Sequence, residues 1–178
     1  DFLVYGYMNR GEYEGRVGMI LYTYHPADQT VEERAYFPVN TTYEILKETM
    51  GRFAYCNYQE IFYFHIYDTI YAYNLITGSL SVIAENVTED TLVYSDALHM
   101  LAWQPADEAG RTNVVHVMNL DLGTLSEIRT GADEILGLLG MIDDNLILGK
   151  SARENAVFGE DGTLVAAYEK VEIVDFDG

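Results

Sequence analysis

Most of the chain consists of short apolar runs in which hydrophobic and polar residues alternate, separated by Asp, Asn, Pro or Gly. A period of two places successive side chains on opposite faces of an extended backbone, so this pattern predicts strands with one buried face. The fullest set lies between residues 90 and 130, where 91–95, 98–104, 113–120 and 124–128 are consecutive β-favouring runs. A second set comprises 52–57, 60–66, 69–75 and 79–84. Further strands are predicted at 2–8, 16–24 and 30–37, with 9–15 too polar and Gly-rich to be other than a connecting loop. Downstream, 135–142 and 146–149 flank a turn at 143–145. A hairpin of 156–158 with 164–168 is expected about Gly159-Glu-Asp-Gly162, and 171–176 reads as a last strand. Helical spacing is found at 41–50, where Thr41 and Glu44 stand at capping-box separation, Ile45, Leu46 and Met50 share a side, and Gly51 follows as a C-terminal signal.

Two of these hairpins are near copies. Tyr73-Asn-Leu-Ile-Thr-Gly-Ser-Leu-Ser-Val-Ile83 and Met118-Asn-Leu-Asp-Leu-Gly-Thr-Leu-Ser-Glu-Ile128 share Asn, Leu, Gly, Leu, Ser and Ile at a constant offset of 45 residues. A third, degenerate copy places Tyr24, Gln29 and Val31 against Tyr73, Gly78 and Leu80 at an offset of 49, with Gln where the others have Gly. A repeat of roughly 40–45 residues with four strands per unit is the signature of a β-propeller blade. The expected fold is therefore all-β and β-propeller-like: a single domain over 1–178, about four blades of four antiparallel strands, and one short helix between blades. On this scheme the run at 171–176 supplies the fourth strand of the N-terminal blade and closes the ring. Gly78, Gly123 and Gly162 are structural turn residues, and the first two occupy matching positions that require a left-handed backbone.

The net charge of −19 is spread over both halves, −7 across residues 1–89 (12 acids, 5 bases) and −12 across 90–178 (17 acids, 5 bases). With no basic face, nucleic acid and anionic lipid are disfavoured as partners. Cys56 is the single cysteine, so an internal disulfide and a cysteine-based metal cluster are both excluded; its apolar neighbours make it a small buried hydrophobe. No apolar run approaches the ~20 residues that span a bilayer as a helix. The first residue is Asp and no charged-then-apolar leader follows it, so the chain reads as a processed or trimmed piece of a longer protein.

Candidate chemistry is sparse. Gly149-Lys-Ser151 ends like a phosphate-binding loop, but the required first glycine would fall at Asp144 and no helix opens after it. His25, His65, His99 and His116 lack an i+2 or i+4 ligand partner, and the acidic pairs at 107–108, 143–144 and 160–161 fall in predicted turns. Asp175-Phe-Asp-Gly178 is only a fragment of a calcium loop, and there is no Gly-x-Ser-x-Gly elbow. No catalytic residue, metal site or cofactor is assigned. Thirteen of the 15 tyrosines lie in residues 1–73, mostly suited to half-buried strand faces. The group Tyr7, Arg10, Tyr13 and Arg16 brings amphipathic rings and scarce positive charge to one long connection, and is the candidate site for a sugar ring or a peptide.

Leu101-Ala-Trp-Gln-Pro105, followed by Val114-Val-His-Val-Met-Asn-Leu-Asp-Leu-Gly123, resembles the blade pattern of Tol-system and WD-type propellers, in which aliphatic-Ala-Trp-Ser-Pro precedes aliphatic-Tyr-Val-Met-Asp-Leu-x-x-Gly. Tyr5-Gly-Tyr-Met-Asn-Arg-Gly11 with Tyr43-Glu-Ile-Leu-Lys-Glu48 resembles uncharacterised propeller-bearing lipoproteins of Gram-positive gut bacteria. These resemblances imply the fold and an extracellular or cell-envelope location, with a lipid anchor in the full-length protein; they imply no established activity. The functional expectation is a non-catalytic binding or scaffolding module of an exported envelope protein, with a peptide, protein or glycan as ligand. A glycan-active hydrolase working through its carboxylates, and a purely structural spacer, are the alternatives.

Overall fold

The structure, a computed structural model, describes residues 1–160 and 168–176. Within them the chain is all-β apart from one α-helix and two single-turn 3-10 helices. In chain order the elements are β1 (Phe2–Tyr7), β2 (Val17–His25), β3 (Thr30–Pro38), α1 (Tyr43–Thr49), β4 (Met50–Cys56), β5 (Ile61–Ile66), β6 (Thr69–Asn74) and β7 (Ser79–Ala84). They continue as β8 (Leu92–Ser95), β9 (Met100–Trp103), β10 (Val114–Asn119), β11 (Thr124–Arg129), β12 (Glu134–Ile142), β13 (Asn145–Ala152) and β14 (Lys170–Val174). Four antiparallel sheets result, β1-β2-β3, β4-β5-β6-β7, β8-β9-β10-β11 and β12-β13-β14, in each of which sequence neighbours are also hydrogen-bonded neighbours.

Local turn chemistry explains this simple order. The hairpins β2–β3, β6–β7 and β10–β11 all turn through four residues, and the last of the four is left-handed in each: Gln29 at φ +58°, Gly78 at +71° and Gly123 at +67°. Gln29 thus adopts the conformation that its two glycine counterparts take without steric cost, so the degenerate copy keeps the geometry although it lost the residue. Side-chain acceptors set the turns: Asn74 Oδ1 takes the amides of Ile76 and Thr77 at 2.9 and 2.8 Å, and Asn119 Oδ1 takes that of Leu122 at 2.9 Å. The β5–β6 and β12–β13 hairpins instead turn through two left-handed residues, Tyr67-Asp68 and Asp143-Asp144.

Several expectations are corrected. Two of the sheets have three described strands rather than four. The C-terminal strand does not complete the N-terminal sheet: β14 pairs with β13, Leu146 opposite Val174 and Ile147 opposite Ile173, and Phe176 beyond it is 4% exposed. Burying Val174 and Phe176 against the neighbouring leucines gains apolar burial that an end-to-end closure would forgo. The helix is capped by Thr42, whose hydroxyl accepts from the Ile45 amide at 3.5 Å, and its C-cap is Met50 in an extended conformation. Gly51 belongs to β4, where a Cβ would overlap the His65 ring; the glycine serves close approach and not helix termination. Of the predicted apolar side, Leu46 is buried while Ile45 is exposed. Residues 156–158 form no strand beyond an isolated bridge at Phe158, and Gly162, residues 164–167 and 177–178 lie outside the described residues.

The chain divides into two compact units, residues 1–67 with 71–82 and residues 68–70 with 83–178. The core of the first gathers Met19, Leu21, Leu46, Phe62, Phe64 and Ile66, with Phe37, Tyr71 and Tyr73 packed against it. The core of the second is aliphatic, built from Ala102, Val115, Val117, Leu136, Leu138, Leu146 and Leu148, with Phe176. At ~1.5–3 kcal/mol for each large side chain fully withdrawn from water, either cluster is a principal source of stability for its unit.

Candidate functional site: an aromatic cleft in the first unit

The loop between β1 and β2 is closed by its own backbone, Met8 N–H donating to Arg16 O at 2.8 Å and Gly15 N–H to Met8 O at 2.9 Å. Tyr7, Arg10 and Arg16 are exposed there. Tyr13 turns inward instead, stacking on Tyr36 at a centroid distance of 3.7 Å and donating its hydroxyl to Glu33 Oε1 at 2.6 Å. That hydrogen bond, aided by burial, pushes the Tyr13 phenol up to about 12. The four residues therefore do not converge as one group: Tyr13 is absorbed into packing against β3, and the other three stay on the surface.

A more developed concavity in the same unit lies between the β2–β3 hairpin and the β5–β7 strands. It is a cleft of ≈ 240 Å³ with Met19, Phe37, Pro38 and Val39 on one side and Phe64, Ile66, Tyr67, Tyr71 and Leu80 on the other. Aromatic contacts fix its floor. Phe37 meets Tyr73 edge to face at 4.9 Å and Phe64 at 5.3 Å, while Phe64 stacks on Tyr71 at 5.4 Å and on Phe62 at 5.2 Å. Phe64, Tyr71 and Leu80 come from β5, β6 and β7, so the row runs across the sheet to its edge strand. None of these residues was singled out in the sequence as part of a site. Their signal was the alternation of rings at 62 and 64 and at 71 and 73, which reads as ordinary core; Phe62 and Phe64 are buried, while Tyr71 and Tyr73 are partly exposed.

Ionisable side chains elsewhere are engaged locally. His25 pairs with Glu32 at 2.9 Å, His99 with Asp121 at 3.1 Å and His116 with Glu127 at 3.6 Å, partners that sequence spacing did not reveal. His116 also stacks on the buried Trp103 at 5.5 Å. On β13 and β14, Lys150 and Lys170 both bind Glu172, and these bonds hold its carboxyl down at about 2. Burial pushes the Cys56 thiol up, as suits a packed residue more than a reactive one. Lys150 and Ser151 stand near the C-terminal end of β13, and only a single-turn 3-10 helix, Arg153–Asn155, follows them. Among the described residues no three His, Cys, Asp or Glu side chains group as metal ligands.

The buried amide of Gln104 makes three hydrogen bonds in the second unit. Its Nε2 donates to the carbonyls of Val114 and Leu136, each at 2.8 Å, and its Oε1 accepts from Leu138 N–H at 2.9 Å, joining the β9–β10 ladder to β12. The polar atoms of this side chain are used in cohesion.

No family model matches this chain, and no curated protein matches it. Among solved structures, the nidogen/laminin complex contains a chain similar to this one with a TM-score of 0.31 and 12% identity, over 96% of this chain. This chain covers 60% of the length of that one.

Proposed function

We propose that the chain is a non-catalytic binding module whose ligand is a peptide segment, built from β-propeller blades and belonging to an exported envelope protein. The observation that carries the binding reading is the aromatic cleft of the first unit. Its ≈ 240 Å³ falls below the roughly 300–1,000 Å³ of pockets that enclose whole small ligands, and suits one large apolar side chain. Its walls are apolar but for two tyrosines, whereas a sugar would require several polar groups converging on its hydroxyls. A peptide presenting a Leu or Phe anchor is therefore favoured over the glycan. The blade reading draws support from the repeated four-residue hairpins and their left-handed fourth position.

A combined peptide and glycan array tests this. Expected is capture of peptides with an apolar anchor, lost in Tyr71→Ala and retained in an Arg10→Ala, Tyr13→Ala double variant. Turnover of any glycan, abolished by a single Asp or Glu substitution, would replace the module with a hydrolase. A blank array would leave the structural spacer as the surviving account.

A further inference from the structure

The three equivalent hairpins end in strands that are not equally protected. β3, β7 and β11 occupy matching places after matching turns, and among the described residues each is hydrogen-bonded on one side only. Native sheets blunt such edges with charge, proline or bulges, because a bare row of amides and carbonyls accepts any extended chain. β3 carries Glu32, Glu33, Arg34 and Pro38, and its pairing with β2 has a register shift at Leu21/Tyr22. β11 carries Glu127 and Arg129. β7, Ser79-Leu-Ser-Val-Ile-Ala84, has neither a charge nor a proline. Val82 stands where the repeat places Glu33 and Glu127, so the charge present in both other copies is missing from this one alone.

The unprotected edge adjoins the cleft. Leu80, 53% exposed, is at once a residue of β7 and a wall of the cleft, and Val82, 51% exposed, follows it on the same face. A strand laid antiparallel along β7 would sit about 4.8 Å away, with the side chain opposite Leu80 continuing the row Phe64–Tyr71–Leu80. We infer that β7 and the cleft form one composite site for strand addition by an extended peptide whose alternate residues are apolar, with Lys or Arg between them. This rests on the module reading above and specifies how its ligand is held. Main-chain hydrogen bonds to β7 supply affinity, and the cleft selects the anchor. The basic character follows from a net charge of −19, which attracts cationic segments and opposes the approach of a second copy of this chain.

The probe is a fluorescein-labelled peptide, acetyl-Lys-Val-Lys-Phe-Lys-Val-Lys, measured by fluorescence anisotropy against the intact chain. A version N-methylated at alternate residues keeps its composition and charge but cannot extend the ladder. Expected are saturable binding, at least a tenfold loss on N-methylation, and a similar loss in Val82→Glu, which restores the residue type of the other two copies. The last result is diagnostic because simple charge attraction predicts the opposite: one more acid should tighten a basic peptide. Equal binding of the N-methylated peptide, or undiminished binding by a folded Val82→Glu chain, would overturn strand addition while leaving the module reading in place. Self-association of the chain in sedimentation, dispersed by Val82→Glu, would overturn it by assigning the edge to a second copy. If this peptide fails and the array is blank as well, the module reading falls with it.

Discussion

Phe62, Phe64 and Tyr71 in the first unit and Val115, Val117 and Leu148 in the second have the same task, to bury one face of a sheet, and they do it with side chains of different shape. Branched aliphatic groups interdigitate, and Val115, Val117, Leu136 and Leu146 are all completely buried. Flat rings meet at edges and offset faces and leave wedges between them, so the aromatic sheet has a cleft along its row of rings. The polar content differs in the same sense: the second unit locks its core with Gln104, whereas the first has rings reaching toward its surface. Both cores are buried, but the first borders a cleft reached through half-buried Tyr71 and exposed Leu80, and the strand bordering that cleft is also the one whose edge lacks charge.

Substitutions that separate closure from availability test this contrast. Leu136→Ala in the aliphatic core should cost about 3–4 kcal/mol by urea denaturation, within the 2–5 kcal/mol range for buried leucines, while Tyr71→Ala at the cleft should cost clearly less and act instead on binding. Equal losses for the two would mean that the cleft residues are as tightly packed as the closed core. Gln104→Leu keeps the volume but strands two carbonyls and one amide, for an expected loss of about 2–3 kcal/mol, and a neutral result would remove the amide from the account of the second core.

Turn residues come next in size. Gly78→Val and Gly123→Val should each cost more than ~1 kcal/mol because φ is +71° and +67° there, and Gln29→Gly should gain up to ~1 kcal/mol for the same reason, a gain offset in part by the freedom of an unfolded glycine. Melting curves unchanged in both glycine variants would break the repeat alignment. The smallest effect concerns acid. Because Glu172 is held at about 2 in the folded chain against 4.5 unperturbed, its pairing with Lys150 and Lys170 stabilises above about pH 4.5 and is lost as pH falls toward 2. Glu172→Gln should flatten that limb of the stability profile in the second unit, and an unchanged slope between pH 5 and 2 would show that the pair adds nothing there.

Much of the β architecture was legible because it is written locally. Alternation marks a strand within a handful of residues, and Asn74, Gly78, Asn119 and Gly123 mark turns by the conformations they allow, so the eleven strands of the first three sheets, and β14, were read near their observed bounds. The candidate site was less legible. Tyr13 was counted with an exposed loop because its contact to Tyr36 and Glu33 spans about twenty residues of sequence. The cleft was missed because Phe64 and Tyr71 alternate just as buried residues do, and Phe64 is buried; the concavity forms where half-buried Tyr71 and exposed Leu80 face the opposing hairpin. The uncharged edge, by contrast, was present in the repeat alignment itself, in Val82 against Glu33 and Glu127.

By itself, then, the sequence determined the all-β character, the repeated hairpins and the strongly acidic net charge, since each follows from side-chain period, turn residues or charge count. Tertiary structure alone decided that β14 pairs with β13, that Gly51 makes room for His65, that Thr42 caps the helix in place of Thr41, and that a cleft borders one of the two cores. The physical reason is shared: strand pairing and close approach join residues far apart in the chain, where many partners satisfy the same local pattern and only the packing of whole sheets selects among them.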